Sequence, residues 1–212
     1  MQRARGIHAV TAAVTIFAVV FQLVLVFQGG KVLDETGRPD PLGTRLWHFF
    51  SYFTIQSNIL VALAAVWLSR DPVADTIRFR ALRLAGLLGI SVTGVVHFTL
   101  LRPLLDLEGA DYVADKLLHM VVPALAVLGW ALVGPRPRID RRALVPSLAW
   151  PIAYLLYCLV VGAVDGWYPY PFLDPDEDGW LGVLVTAVGI TALFVAFYFV
   201  GRLVDRRTKE TP

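Results

Sequence analysis

Six stretches of this chain are apolar over about 18 residues or more, the length at which a helix crosses the hydrocarbon core of a bilayer. They fall at about 7–27, 46–68, 82–101, 116–133, 143–164 and 180–204. In 212 residues they leave no room for a second, soluble domain. Proline and glycine gather between them, at Pro39 and Pro41, Pro72, Pro103, Pro135 and Pro137, and through 169–179. Those residues stop helices and turn the chain. The expected fold is therefore all-α: a polytopic integral membrane protein, with one six-helix transmembrane bundle occupying residues 1–212. Charged residues make up 17% of the chain, against about a quarter in an ordinary soluble domain.

The first apolar run follows Arg3 and Arg5, as a signal peptide would. It is too long for a signal-peptide core and lacks a small-residue cleavage site, so a retained helix is expected. The single cysteine, Cys158, sits inside an apolar run and offers no disulfide framework. No internal repeat is visible, which gives an inverted-repeat transporter no support.

Lysine and arginine in short loops set orientation. Fourteen of the 19 fall at the N-terminus, in the second and fourth loops and in the C-terminal tail. The remaining five are Lys31, Arg38, Arg45, Arg102 and Lys116. The bias predicts both termini in the cytoplasm, which an even number of helices allows. The basic residues are segregated by side rather than gathered in a patch, so no nucleic-acid partner is expected. Twelve of the 17 acidic residues lie on the opposite, outer side.

Polar groups in hydrocarbon are costly and usually face the interior or a wet cavity. His48, His97 and His119 all fall near the outer ends of predicted helices. The second helix also carries Ser51, Thr54, Gln56, Ser57 and Asn58. At about 100° per residue, His48, Ser51, Thr54 and Asn58 form one stripe within roughly 60° of Ser51. Such a stripe serves either interhelical hydrogen bonding or the lining of a site. On the fourth helix, Asp115 and Pro123 flank His119 at i−4 and i+4. Asp115 either orients the imidazole or is a solvated residue near a helix start. Pro123 frees a backbone carbonyl and kinks the helix. Ser51 and His119 are expected at similar depth, and a hydroxyl beside an imidazole base is the minimum for nucleophilic catalysis. The last outer loop reads Gly-Trp-Tyr-Pro-Tyr-Pro-Phe-Leu-Asp over 166–174. Trp167 fits an interfacial aromatic belt and the Tyr-Pro-Phe-Leu part a defined packed turn; alternatively Trp167, Tyr170 and Phe172 form the rim of a lipid-accessible cavity.

Three segments together resemble a known family. The run from Trp47 to Thr54 is similar to its Trp-x-Phe-Leu-Thr segment. Leu117-Leu118-His119 followed by Val121-Val122-Pro123 is similar to its histidine-bearing helix, and the 166–174 loop to its Tyr-Pro-Phe-Leu-acidic loop. The family is that of the androgen-induced and androgen-dependent membrane proteins, with a bacterial Pr-six-Pr branch. Order, spacing and hydropathy match over nearly the whole chain. The resemblance implies a bacterial plasma-membrane protein that cleaves fatty-acid esters with a hydroxyl nucleophile and a histidine base. Anchored on Trp47, it points to Ser51 as nucleophile and His119 as base. The family has threonine in the nucleophile column, and its His-to-Pro spacing is one residue longer. Thr54 is therefore held as the reserve nucleophile. Asp115, His48, His97 and Asn58 are supporting candidates. No metal or cofactor is expected, and the partners are the bilayer and a lipid or acyl-ester substrate. A non-enzymatic lipid-binding or scaffold protein is the alternative. A haem carrier on the three histidines is disfavoured, because axial ligation needs histidines paired across a bundle.

Overall fold

The computed structural model describes residues 1–29 and 40–207, and the architecture below is that of these residues. Lys31, Arg38 and Lys209, which enter the charge census, lie outside them. The order of elements is α1 (Gln2–Phe27), α2 (Leu42–Ser51), α3 (Phe53–Arg70), α4 (Ile77–Val96), α5 (Gly109–Lys116), α6 (Val122–Val133), α7 (Arg141–Asp165) and α8 (Pro175–Arg207). A π turn at His97–Leu101 extends α4, and another at Leu117–Val121 joins α5 to α6. No strand occurs among the described residues. Six helical spans are long and apolar enough to cross a membrane: Gln2–Phe27, Phe53–Arg70, Ile77–Leu104, Gly109–Val133, Arg141–Asp165 and Gly179–Arg206. This is the mark of a multi-pass membrane protein.

The expected second helix is corrected by the structure. It is two helices, α2 and α3, separated by Tyr52 in an extended conformation (φ −73°, ψ 129°). Neither proline nor glycine causes the break. It is held by side chains: the Gln56 amide donates to the freed carbonyl of Phe50 at 3.0 Å. The Tyr52 ring packs edge-on against Trp167 and Tyr170.

The six spans are unequally buried. The α4 span is 61% buried inside the protein, whereas those of α7 and α8 are each 17% buried. The α4 helix packs on α3, α6, α7 and α8 and so forms the centre. Val145, Ile152, Leu156, Val160 and Val164 of α7 and Leu181, Leu184, Val185 and Val188 of α8 are exposed. Apolar surface on that scale is a liability in water and is the natural surface to present to lipid.

Close packing around α4 depends on small residues, as is usual between membrane helices. A Cβ on Gly86 would lie 3.3 Å from the backbone of α3 at Leu60 and Val61. One on Gly89 would lie 2.7 Å from the Trp150 ring of α7. Overpacking of a tight contact costs about 1–3 kcal/mol. Gly89→Ala is therefore expected to lower the thermal midpoint of the detergent-solubilised protein. Gly189→Ala, which meets no atom within 4 Å, is expected to leave it unchanged or raise it slightly. Equal midpoints for the two variants would contradict the packing assigned to α4.

At the arginine-rich end, the loop between α6 and α7 is sealed by buried charge. Arg83 donates to the carbonyls of Gly134 and Pro135. Asp205 accepts from the backbone N–H groups of Arg138 and Ile139 at 2.6 and 2.7 Å. The opposite end carries the 3₁₀ turn Pro171–Leu173, which packs against α8.

Candidate functional site

The break at Tyr52 creates the site. Ending one helix and starting another leaves the first N–H groups of α3 without intrahelical partners. Gln56 N–H is the first to find one, on the Tyr52 carbonyl at 3.2 Å. Thr54 N–H instead donates to the Tyr170 hydroxyl, at a long 3.4 Å. Thr54 thus sits in the first turn of α3, only 7% exposed. Its Oγ1 lies 3.2 Å from Nε2 of His119.

The other nitrogen of His119 is fixed by Asp115. Its Nδ1 lies 2.9 Å from Asp115 Oδ1 and 3.0 Å from the Asp115 carbonyl oxygen. Both are acceptors, so Nδ1 carries the ring proton and Nε2 of the neutral imidazole is left to accept. Thr54 therefore donates its hydroxyl proton to Nε2. Asp115 Oδ2 is in turn held by Lys116 Nζ at 2.9 Å. His97 stacks on His119, with ring centroids 3.8 Å apart and planes within 11°. Its Nε2 lies 3.2 Å from Asp115 Oδ1.

Both histidines stand on π turns, wide turns that recur at functional sites. Pro123 accounts for the second, because its ring and missing N–H disrupt the helical bond to His119 one turn earlier. The α4 helix packs on this turn at Gly94, where a Cβ would make ordinary van der Waals contact, 3.5 Å from the His119 carbonyl and 3.7 Å from Pro123 Cβ. Asn58 braces the same turn. Its amide donates to Thr54 O at 2.8 Å and to Leu118 O at 3.4 Å.

No family model, curated protein or solved structure matches the chain. What the site can do follows from its own side chains.

Of the residues singled out in the sequence, the structure brings Thr54, Asp115, His97 and His119 together and leaves Ser51 apart. The pairing of Ser51 with His119 is corrected: the hydroxyl on Nε2 is that of Thr54. Ser51, 3% exposed, ends α2 and donates to the Trp47 carbonyl at 2.7 Å. Its one proton is thereby used, so the Tyr157 hydroxyl donates to it across a 2.6 Å contact with α7. The polar stripe assumed one phase of 100° per residue through residues 48–58, and the extended Tyr52 resets that phase. His48 stacks on Trp167, with centroids 3.8 Å apart, and lines neither cavity beside Thr54. Trp167 serves as that stacking platform, and Phe172 stacks on Tyr170 at 5.1 Å. Tyr170 is not a rim residue. It is 6% exposed and reaches into the site.

Two cavities meet there. The larger, about 320 Å³, runs from Thr54, His97 and Tyr170 between α4, α7 and α8 to Tyr198 and Phe199. Nearly all of its lining is apolar. The smaller, about 40 Å³, is bounded by Gln22, Asp111, Asp115 and His119 among apolar neighbours. It has room for a water. Thr54, His97, Leu101 and Tyr170 line both. A hydroxyl, an imidazole and a carboxylate in series, opening on a long apolar cavity, have the parts of a nucleophilic relay.

Proposed function

We propose that the protein is an intramembrane lipid-ester hydrolase with Thr54 as nucleophile, His119 as base and Asp115 as the group that orients it. One observation carries this reading: the Thr54 Oγ1–His119 Nε2 contact of 3.2 Å, backed by Asp115 on Nδ1 at 2.9 Å. Thr54 also lines a cavity of about 320 Å³ with an almost wholly apolar lining, which suits an acyl chain. The resemblance to the androgen-induced membrane proteins supports a hydroxyl nucleophile paired with His119, while its Trp47 anchor falls on Ser51 rather than Thr54.

In the proposed reaction Thr54 Oγ1 attacks the acyl carbonyl while His119 Nε2 takes its proton. The ester C–O bond breaks, and His119 returns the proton to the departing alkoxide. A water in the smaller cavity then gives a proton to His119 and attacks the acyl-threonine. The fatty acid leaves, and Thr54 recovers its proton. Negative charge on the carbonyl oxygen needs donors close by. The Tyr170 hydroxyl accepts from Thr54 N–H, so its own proton is available to that oxygen. Ile152, Val195 and Phe199 line the larger cavity and are exposed on the lipid-facing surface. The acyl chain enters sideways between helices. With the basic residues facing the cytoplasm, both termini are cytoplasmic and the site lies in the outer half of a bacterial plasma membrane.

Purified protein in lipid nanodiscs is expected to release fatty acid from a fluorogenic long-chain acyl ester. Co-purified lipid with no ester cleavage by the wild type would instead identify a lipid-binding protein and end the hydrolase reading. Within this mechanism Tyr170→Phe is expected to lower kcat by about 10²-fold, the usual effect of losing one oxyanion donor. KM is expected to stay within about twofold, because the hydroxyl acts on charge that develops only in the transition state. A raised KM with unchanged kcat would remove Tyr170 from this role.

A further inference from the structure

Two groups at this site have no part in the relay. His97 Nε2 is buried, on a side chain 3% exposed, and faces Asp115 Oδ1 at 3.2 Å without the alignment of a hydrogen bond. Asp111 Oδ1 is buried without a hydrogen-bond partner and belongs to a wall of the smaller cavity. Unsatisfied buried polar groups need an explanation. Here both lie beside Asp115 and His119, and His97, Asp115 and His119 present ligand atoms within 4.8 Å of one another.

We propose that His97, Asp115 and His119 bind a divalent transition-metal ion of the zinc class, and that its binding switches the hydrolase off. Two imidazoles and a carboxylate are a donor set that zinc accepts, with the fourth position left to water or a further ligand. Zinc–nitrogen and zinc–oxygen bonds of about 2.0–2.2 Å place neighbouring tetrahedral donors about 3.4 Å apart. Asp115 Oδ1 stands 3.2 Å from His97 Nε2 and 2.9 Å from His119 Nδ1. The two rings stack within 11° of parallel, so they must turn toward each other to aim both lone pairs at one ion. Lys116 occupies Asp115 Oδ2 and leaves Oδ1 as the ligand oxygen. Its positive charge opposes a cation, and the Asp111 carboxylate on the same small cavity offsets it.

The effect on the relay follows from proton placement. A metal on His119 Nδ1 takes the lone pair where the relay keeps a proton. The neutral ring then carries its proton on Nε2, which can only donate. It cannot accept from Thr54, and the hydroxyl loses its base.

The inhibitory half of this proposal rests on the hydrolase reading, whereas the binding half does not. The test therefore reads the two separately. Full-length protein in detergent, stripped by chelator and then exposed to Zn²⁺ alone, is expected to retain one zinc per chain after gel filtration. Co²⁺ in its place is expected to show the visible absorption of a tetrahedral site. Asp111→Asn is expected to weaken zinc binding by about 10-fold, the scale of lost outer contacts, and His97→Gln by more. Ester turnover by the wild type is expected to fall as zinc fills the site, and the residual turnover of His97→Gln to be insensitive to the same concentration. Circular dichroism of both variants checks that they are folded before their binding is compared. One bound zinc with no turnover under any condition would keep the metal site and remove the hydrolase. Active protein that retains no zinc, or whose turnover is lost on chelation and restored by zinc, would overturn this proposal and leave the hydrolase in place.

Discussion

Thr54→Ala is expected to reduce ester turnover by at least about 10³-fold, the loss that follows removal of a nucleophile, whereas Ser51→Ala retains most of it. The contrast is sharp because these hydroxyls are three residues apart and both buried. Only that of Thr54 lies on the imidazole. The Ser51 hydroxyl is committed to the Trp47 carbonyl and to Tyr157. Its removal costs about 1 kcal/mol of stability for the lost hydrogen bonding and leaves His119 untouched. Thr54→Ser preserves the attacking oxygen and is expected to keep measurable turnover. The measurement is fatty-acid release in nanodiscs, with a thermal midpoint for each variant to separate lost chemistry from lost fold. The reverse order, an inactive Ser51→Ala and an active Thr54→Ala, would return the nucleophile to Ser51.

The second large effect is at Asp115. Asp115→Asn keeps the size of the side chain but removes the charge that holds the His119 proton on Nδ1. An amide can present its N–H₂ to Nδ1, which drives the ring proton to Nε2, where it blocks the hydroxyl. A loss of about 10²–10⁴-fold in kcat is expected, as for a relay whose imidazole is held in the wrong tautomer. KM is expected to change little. His119→Ala is expected to lose as much. Because the three groups act as one unit, adding Thr54→Ala to either variant is expected to lower turnover no further. Losses that multiply would mean the groups act independently and would break the relay apart. Asp115 also holds Lys116, so a folded protein by circular dichroism is needed before the comparison counts.

The spans were legible in the sequence because a bilayer imposes a length and a polarity that no local detail can disguise. Five of the six expected runs lie wholly within helical structure, and the run 46–68 is broken only at Tyr52. What stayed illegible was the phase of α2 and α3. Nothing between Phe50 and Thr54 breaks a helix by propensity, since the segment is Phe-Ser-Tyr-Phe-Thr. The break is imposed by Gln56, which reaches back to Phe50, and by the aromatic packing of Tyr52. Both depend on residues brought together only by the fold. The Trp47 anchor of the resemblance points to Ser51, and nothing in residues 50–54 signals that the hydroxyl on His119 is that of Thr54. The histidine was easier. Pro123 at i+4 marks the disturbed turn on which His119 stands, and Asp115 at i−4 falls on the same face. Pairing with His97 depends on α4 lying beside that turn, a contact made only by the fold. The Tyr-Pro-Phe-Leu run reads as a packed turn in the sequence, but a rim position is equally open to Tyr170 there. Its burial comes from the 3₁₀ turn that folds the loop inward.

The most direct measurement is to trap the covalent intermediate. Wild-type protein is treated with a long-chain fluorophosphonate, which reacts with an activated hydroxyl, and the peptide between Arg45 and Arg70 is sequenced by mass spectrometry. Ser51 and Thr54 share that peptide, so fragment ions distinguish them. The adduct is expected on Thr54, and its formation is expected to fall away in His119→Ala. An adduct on Ser51 in catalytically active protein would contradict the central role given to Thr54.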